Sequence, residues 1–169
     1  MTPKTRALAA TVLFSTVGLW SALFHSVAWE FTVPHALFYA VLTINTYFSV
    51  LFHSSFTPDS RFQTFIDLAL VAAYLALAFS IGVPVAFSFC AVLIFAVAPA
   101  KYAHTLGHTP HDKTLRRKIL IDHVGTFGSV VVLGLTLAGL ELPAAWILAI
   151  LFTLANVYLL LVRPMYRHE

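Results

Sequence analysis

Apolar stretches long enough to cross a lipid bilayer follow one another along the whole chain, separated by short segments carrying proline, glycine or charge. A helix rises about 1.5 Å per residue, so about 20 mostly apolar residues cross the hydrocarbon core. The stretches predict helices over 7–29, 33–54, 62–80, 84–104, 118–139 and 143–162. Pro34, Pro58, Gly82 with Pro84, Pro110 and Pro143 mark the breaks. Of the 169 residues, 60% are hydrophobic and only 10% charged. A water-facing domain carries about 25% charged residues, so the solvent that suits this surface is lipid. The expected architecture is an all-α, polytopic membrane helical bundle, one domain over 1–169, with sequential helices packed as antiparallel neighbours.

Orientation follows from lysine and arginine. Lys4 and Arg6 precede the first span, and Arg61 lies between the second and third. Lys101, Lys113, Arg116, Arg117 and Lys118 lie between the fourth and fifth, and Arg163 and Arg167 follow the sixth. With six spans, all ten basic residues fall on one side, while the other carries Glu30 and Glu141. Both termini are therefore expected in the cytoplasm, in a pattern that suits a bacterial inner membrane. The same pattern accounts for the net charge of +3 without a nucleic-acid partner. Lys4 and Arg6 before an apolar run also open a signal peptide, but this run is too long and its end, Phe24 to Trp29, too bulky. It reads as a retained span. Trp20, Trp29, Tyr102, Trp146 and Tyr166 suit interfacial belts. The single Cys90, in an apolar run, supports neither a disulfide nor a thiolate cluster, and no Rossmann, P-loop or kinase pattern is present.

Ionisable groups at membrane depth are costly and point to function. Asn45, Ser49 and His53 are spaced i, i+4, i+8 and form one polar stripe on the second span. Asp67 lies early in the third span, at a depth like that of His53, and needs a partner, a proton or a cation. His104 and His108 share a helix face if the fourth helix continues that far, a spacing suited to two ligands of one metal ion. Asp122-His123 opens the fifth span, with His123 as an alternative ligand and Asp122 as the carboxylate orienting it. Each has a structural counterpart: polar glue between helices, solvated loop histidines, or an ion pair with Lys or Arg. Topology nevertheless brings His53, Asp67, His104, His108 and His123 to one side, and imidazoles with a carboxylate are the ligand set of zinc or non-haem iron. His25 and His35 flank the first turn on the opposite side and read as interfacial; His111 and Asp112 read as solvated, and His168 is terminal.

Ser49-Val50-Leu51-Phe52-His53, followed by Asp67 early in the next helix, resembles the transmembrane hydrolase superfamily of alkaline ceramidases, hemolysin III-type proteins and progestin/adipoQ receptors. There a serine and a histidine four residues apart end the second helix, an aspartate follows in the third, and a histidine pair completes a zinc site. The resemblance covers residues 45–67. His104 and His108 match the pair in spacing only, because members have seven spans with the pair in the last. It implies a zinc-dependent hydrolase of a lipid amide or ester, acting at the cytoplasmic leaflet. Zinc would sit on His53, His104 and His108, with Asp67 as general base and Ser49 bonding the oxyanion or the water. Two other readings stand beside it. One is a membrane non-haem iron oxygenase, for which the histidine boxes are too few. The other is a non-catalytic membrane subunit, haem-binding or proton-conducting, for which Thr126, Ser129 and Thr136 offer a thin polar continuation on the fifth span.

Overall fold

The structure is a computed structural model that describes residues 2–24, 28–54, 57, 60–109 and 112–166. The expectations for His25, Pro58, Pro110, His111, Arg167 and His168 fall outside these residues. Six helices, each long and apolar enough to cross a membrane, account for the described chain. They are α1 (Pro3–Phe24), α2 (Trp29–His53), α3 (Arg61–Phe79), α4 (Pro84–His108), α5 (Lys113–Leu137) and α6 (Glu141–Val157), the last continuing as a π-helix over Tyr158–Val162. Large apolar side chains such as Phe65, Leu68, Phe89, Phe127, Leu151 and Leu161 are exposed on the outside. Only lipid tolerates an apolar surface so continuous, and the chain is a multi-pass integral membrane protein.

The boundaries differ from the sequence reading where proline was taken as a break. Pro34 lies inside α2, which begins at Trp29, and the first turn closes earlier than expected. Proline is tolerated near a helix start and within membrane helices when its environment re-satisfies the freed carbonyl. Pro99, inside α4, shows how. Its missing N–H leaves the Phe95 carbonyl without a helical partner. Thr126 Oγ1 on α5 donates to that carbonyl at 2.7 Å, and lies 2.8 Å from the carbonyl of Asp122. Helix α5 starts at Lys113 because the Asp112 side chain caps it, accepting from the N–H groups of Thr114 and Leu115 at 2.8 and 3.0 Å. Asp112 is therefore a capping residue and not merely a solvated one.

The helices close a ring in the order α1, α2, α6, α5, α4, α3, and α4 also touches α6 across it. Four of the five sequential pairs are packed neighbours; α2 and α3 are not. Helix α1 lies between them. Phe14 stacks on Tyr74 of α3 at 4.6 Å, while the Tyr39 hydroxyl of α2 donates to the Phe14 carbonyl at 3.2 Å. The Tyr39 ring occupies the space where a side chain at Gly18 would project.

The half of the bundle away from the basic residues holds an aromatic core. Phe38 packs against Phe87, Phe95 and Phe152 at ring separations of 5.6, 6.3 and 4.5 Å. His35, expected at the interface, is buried there with 1% exposure. It stacks on Phe87 at 4.0 Å, and its Nδ1 accepts the Gly82 N–H at 3.1 Å. The imidazole ties α2 to the α3–α4 turn, a contact the sequence reading did not include.

Replacing Thr126 with valine keeps the shape and removes the donor, so Thr126→Val should cost about 1–3 kcal/mol. Adding Pro99→Ala restores a helical N–H to the Phe95 carbonyl and should recover most of that loss. Unfolding midpoints of the two variants in detergent check this; equal destabilisation in both would rule out the carbonyl as the cause.

Candidate functional site

Because α2 and α3 do not close on each other, the ring encloses a cavity of about 280 Å³ at its basic end. That is near the lower limit of small-ligand sites, roughly 300–1,000 Å³. Its walls come from five helices: Arg6 on α1; Asn45, Thr46, Ser49 and His53 on α2; Asp67 and Tyr74 on α3; Lys101 and Tyr102 on α4; Lys118 and Asp122 on α5. Phe14, Leu42, Ile94 and Phe95 also line it and belong to the apolar core beyond. The space is thus a vestibule with a polar wall and an apolar floor.

The stripe on α2 forms one wall. Ser49 and His53 are buried. His53 Nδ1 lies 2.8 Å from the Ser49 carbonyl oxygen and 3.4 Å from Ser49 Oγ. A carbonyl only accepts, so Nδ1 carries the proton and Nε2 is the basic nitrogen of the ring. Ser49 Oγ instead shares a 2.7 Å hydrogen bond with the Tyr102 hydroxyl. Thr46 hydrogen-bonds Tyr74, joining α2 to α3 across the cavity.

Lys118 and Asp122, one turn apart on α5, form an ion pair in which both groups are almost wholly buried. The Lys118 ammonium also lies 5.3 Å from the centre of the Tyr102 ring, a cation–π contact. Asp122 Oδ2 is buried and has no hydrogen-bond partner among the described residues. A second ion pair, Lys101 to Asp67 at 2.7 Å, is more open, with the carboxylate side chain 47% exposed. Gln63 supports Asp67 at 3.4 Å.

The C-terminal segment folds back onto this end. Met165 is buried. Tyr166 packs against Phe52 and His53 at 5.7 and 5.9 Å and donates to Asn45 Oδ1 at 3.3 Å. Burial pushes its phenol above the ordinary tyrosine range, so it remains a neutral donor at physiological pH.

The site residues read from the sequence divide into two groups. Ser49, His53, Asp67 and Asp122 line the cavity; His104, His108 and His123 do not. Helix α4 does reach His108, and the His104 and His108 rings are 5.1 Å apart. His104, however, packs on Phe62 at 4.9 Å, and His108 is exposed with Nδ1 on the His104 carbonyl at 3.0 Å. His123 is exposed, its Nδ1 2.7 Å from the Ile119 carbonyl. Among the described residues, no three of His, Cys, Asp and Glu gather as a metal ion requires. The two buried imidazoles of α2, His35 and His53, are eighteen residues apart, roughly 27 Å at 1.5 Å per residue, which is too far to hold one haem. Of the polar residues on α5, Thr126 donates to the Phe95 carbonyl, and Ser129 and Thr136 are buried, Thr136 sharing a 3.3 Å hydrogen bond with Ser88.

Sequence reasoning passed over Lys118, Lys101, Arg6, Tyr102 and Tyr166. Lys118 stood as the first residue of a span starting at 118. With the helix beginning at Lys113, it faces inward in the second turn. The spacing of Lys118 and Asp122 was the available signal, since i, i+4 groups share a face.

Removing one partner of a buried ion pair strands the other charge at a cost of about 3–5 kcal/mol, whereas replacing both with apolar groups is often neutral. Lys118→Met should therefore be strongly destabilising, and Lys118→Met with Asp122→Leu should regain most of the loss. Unfolding midpoints in detergent separate the two; a double variant as unstable as the single one would show that the pair is not the source. Comparison with protein families, with curated proteins and with solved structures finds no match to this chain.

Proposed function

We propose that this chain is a lipid hydrolase whose vestibule opens to the cytoplasmic leaflet and takes in the acyl carbonyl of an amide or ester lipid. The observation that carries the reading is the cavity at the basic end, in which Ser49, His53 and Tyr102 lie together with apolar residues of the core. A one-sided chamber suits an amphiphile, with its head among the polar groups and its chains in lipid. A transmembrane conduit would need a polar route through the aromatic core. The orientation rests on the side shared by the lysines and arginines, which faces the cytoplasm by the positive-inside rule.

In this proposal acid–base groups of the chamber supply the chemistry. His53, holding its proton on Nδ1 against the Ser49 carbonyl, uses Nε2 to take a proton from water as that water attacks the acyl carbon. The carbonyl oxygen becomes an oxyanion, which the Tyr102 and Ser49 hydroxyls stabilise by hydrogen bonds. The tetrahedral intermediate collapses by breaking its bond to the alcohol or amine. His53 returns the proton to that leaving group, and a fatty acid is released. Asp67 and Lys101 pair at the more open side of the chamber and hold α3 to α4.

Purified protein reconstituted with a nitrophenyl acyl ester and with a fluorogenic acyl amide tests this. Turnover of either substrate should fall about 10²–10⁴-fold in His53→Ala, and about 10²–10³-fold in Tyr102→Phe, with KM little changed. Wild-type turnover in His53→Ala would end the proposal. Metal analysis runs alongside: one zinc per chain, lost in His53→Ala, would replace the acid–base scheme with a metal-dependent one.

A further inference from the structure

Asp122 is almost wholly buried, yet one of its carboxylate oxygens has no hydrogen-bond partner among the described residues. The other oxygen takes the Lys118 ammonium, one turn back on α5. Both residues line the vestibule. An ammonium has three donors, and Lys118 uses one on Asp122 and lies over the Tyr102 ring. The pair is therefore neutral as a unit but incomplete at both ends, with an acceptor to spare on Asp122 and donors to spare on Lys118. Such groups are costly to leave unmatched in a low-dielectric interior. Charge and hydrogen bonding together say what completes them. A second cation is repelled by Lys118, and an anion by Asp122. A carbonyl or ether oxygen answers only the lysine, and an amide N–H only the aspartate. An alcohol hydroxyl answers both, because it donates one hydrogen bond and accepts others.

From this juxtaposition we infer that the vestibule binds a partial glyceride, a neutral glycerol ester that keeps a free hydroxyl, with that hydroxyl seated between Lys118 and Asp122. The inference rests on the lipid-hydrolase reading and narrows its substrate class. Tyr102 links the seat to the reacting groups. Its ring centre is 5.3 Å from the Lys118 ammonium, and its hydroxyl is 2.7 Å from Ser49 Oγ. A hydroxyl held by the ion pair therefore brings the ester on the same glyceryl head to the side of Ser49, Tyr102 and His53. The first methylenes of the acyl chain meet Phe14, Leu42, Ile94 and Phe95, which also line the chamber. A triacylglycerol has no hydroxyl to give. Glycerol alone has the hydroxyls and no chain for the apolar lining.

Binding is measured on the full chain in detergent by native mass spectrometry. The probes are a hexadecyl glyceryl ether, which has free hydroxyls and no acyl bond to cleave, its dimethyl derivative, which keeps the oxygens and loses the hydroxyl protons, and glycerol as competitor. The glyceryl ether should bind at least about tenfold more tightly than the dimethyl derivative. Asp122→Asn exchanges the spare acceptor for a donor and should remove that preference. So should Lys118→Met combined with Asp122→Leu, which takes away both partners without stranding a charge. In both variants the dimethyl derivative should bind at least as well as to the wild-type chain. Loss of both lipids would make the pair a purely structural element and overturn its reading as a hydroxyl seat. Equal binding of the two lipids to the wild-type chain overturns the inference, as does a preference that survives the double replacement. A preference lost in Asp67→Asn and kept in Asp122→Asn would seat the hydroxyl at the outer ion pair and overturn it as well. Displacement by millimolar glycerol would assign the site to the free polyol and overturn the lipid. Hydroxyl preference without ester or amide turnover would keep this inference and remove the hydrolase; turnover of the nitrophenyl ester without hydroxyl preference would do the reverse.

Discussion

The ion pair between Lys118 and Asp122 organises the polar end of this protein. Two charges one turn apart on a membrane helix would be intolerable facing lipid, so they fix which side of α5 looks into the ring. That choice propagates. Lys118 lies over the Tyr102 ring, which sets the phenol beside Ser49, and Ser49 lies on the same stripe as His53. A chain of contacts from α5 through α4 to α2 thus follows from one buried pair. It also explains why the cavity survives. Closing α2 onto α3 would fill the space that these polar groups require, and α1 occupies the gap between the two helices instead.

Lipid imposes the rest. With no water to complete a broken ladder, every freed carbonyl must find a donor inside the bundle. The contact from Thr126 to the Phe95 carbonyl answers that demand for Pro99, and it engages the hydroxyl that a polar path along α5 would have needed. The same residue type can therefore read as a stepping stone in sequence and serve as a structural plug in space. The aromatic cluster of Phe38, Phe87, Phe95 and Phe152 fills the half of the bundle beyond the charged end.

Much of this division was legible before any coordinates. Apolar length gave the six spans, because crossing a bilayer sets a minimum that few other constraints share. The i, i+4 spacing of Ser49 and His53 gave a true shared face, because helical period alone decides it. The spacing of His104 and His108 was read equally well, yet both lie off the cavity. Period tells which residues share a face, and it is silent on what that face meets. The same limit hid the α1 insertion between α2 and α3, since short connections favour sequential packing without enforcing it. Lys118, Tyr102 and Tyr166 were passed over for another reason. Each is a residue type expected at the membrane boundary; the capped start at Asp112 sets Lys118 inside α5, the returning C-terminal segment brings in Tyr166, and Tyr102 faces Ser49 from α4.

The two buried histidines of α2 carry this distinction to the level of single atoms. His35 receives the Gly82 N–H on Nδ1, so Nδ1 is its bare nitrogen and the proton is on Nε2. His53 gives its Nδ1 proton to the Ser49 carbonyl, so Nε2 is its bare nitrogen. The first ring lies between Phe87 and a backbone turn, with its lone pair already committed. The second borders a cavity with hydroxyls and charges around it, and its basic nitrogen is the one at the far end of the ring from the helix backbone. Same helix and same residue type, they differ in which nitrogen the backbone fixes. That assignment separates an imidazole that braces a turn from one that borders the cavity.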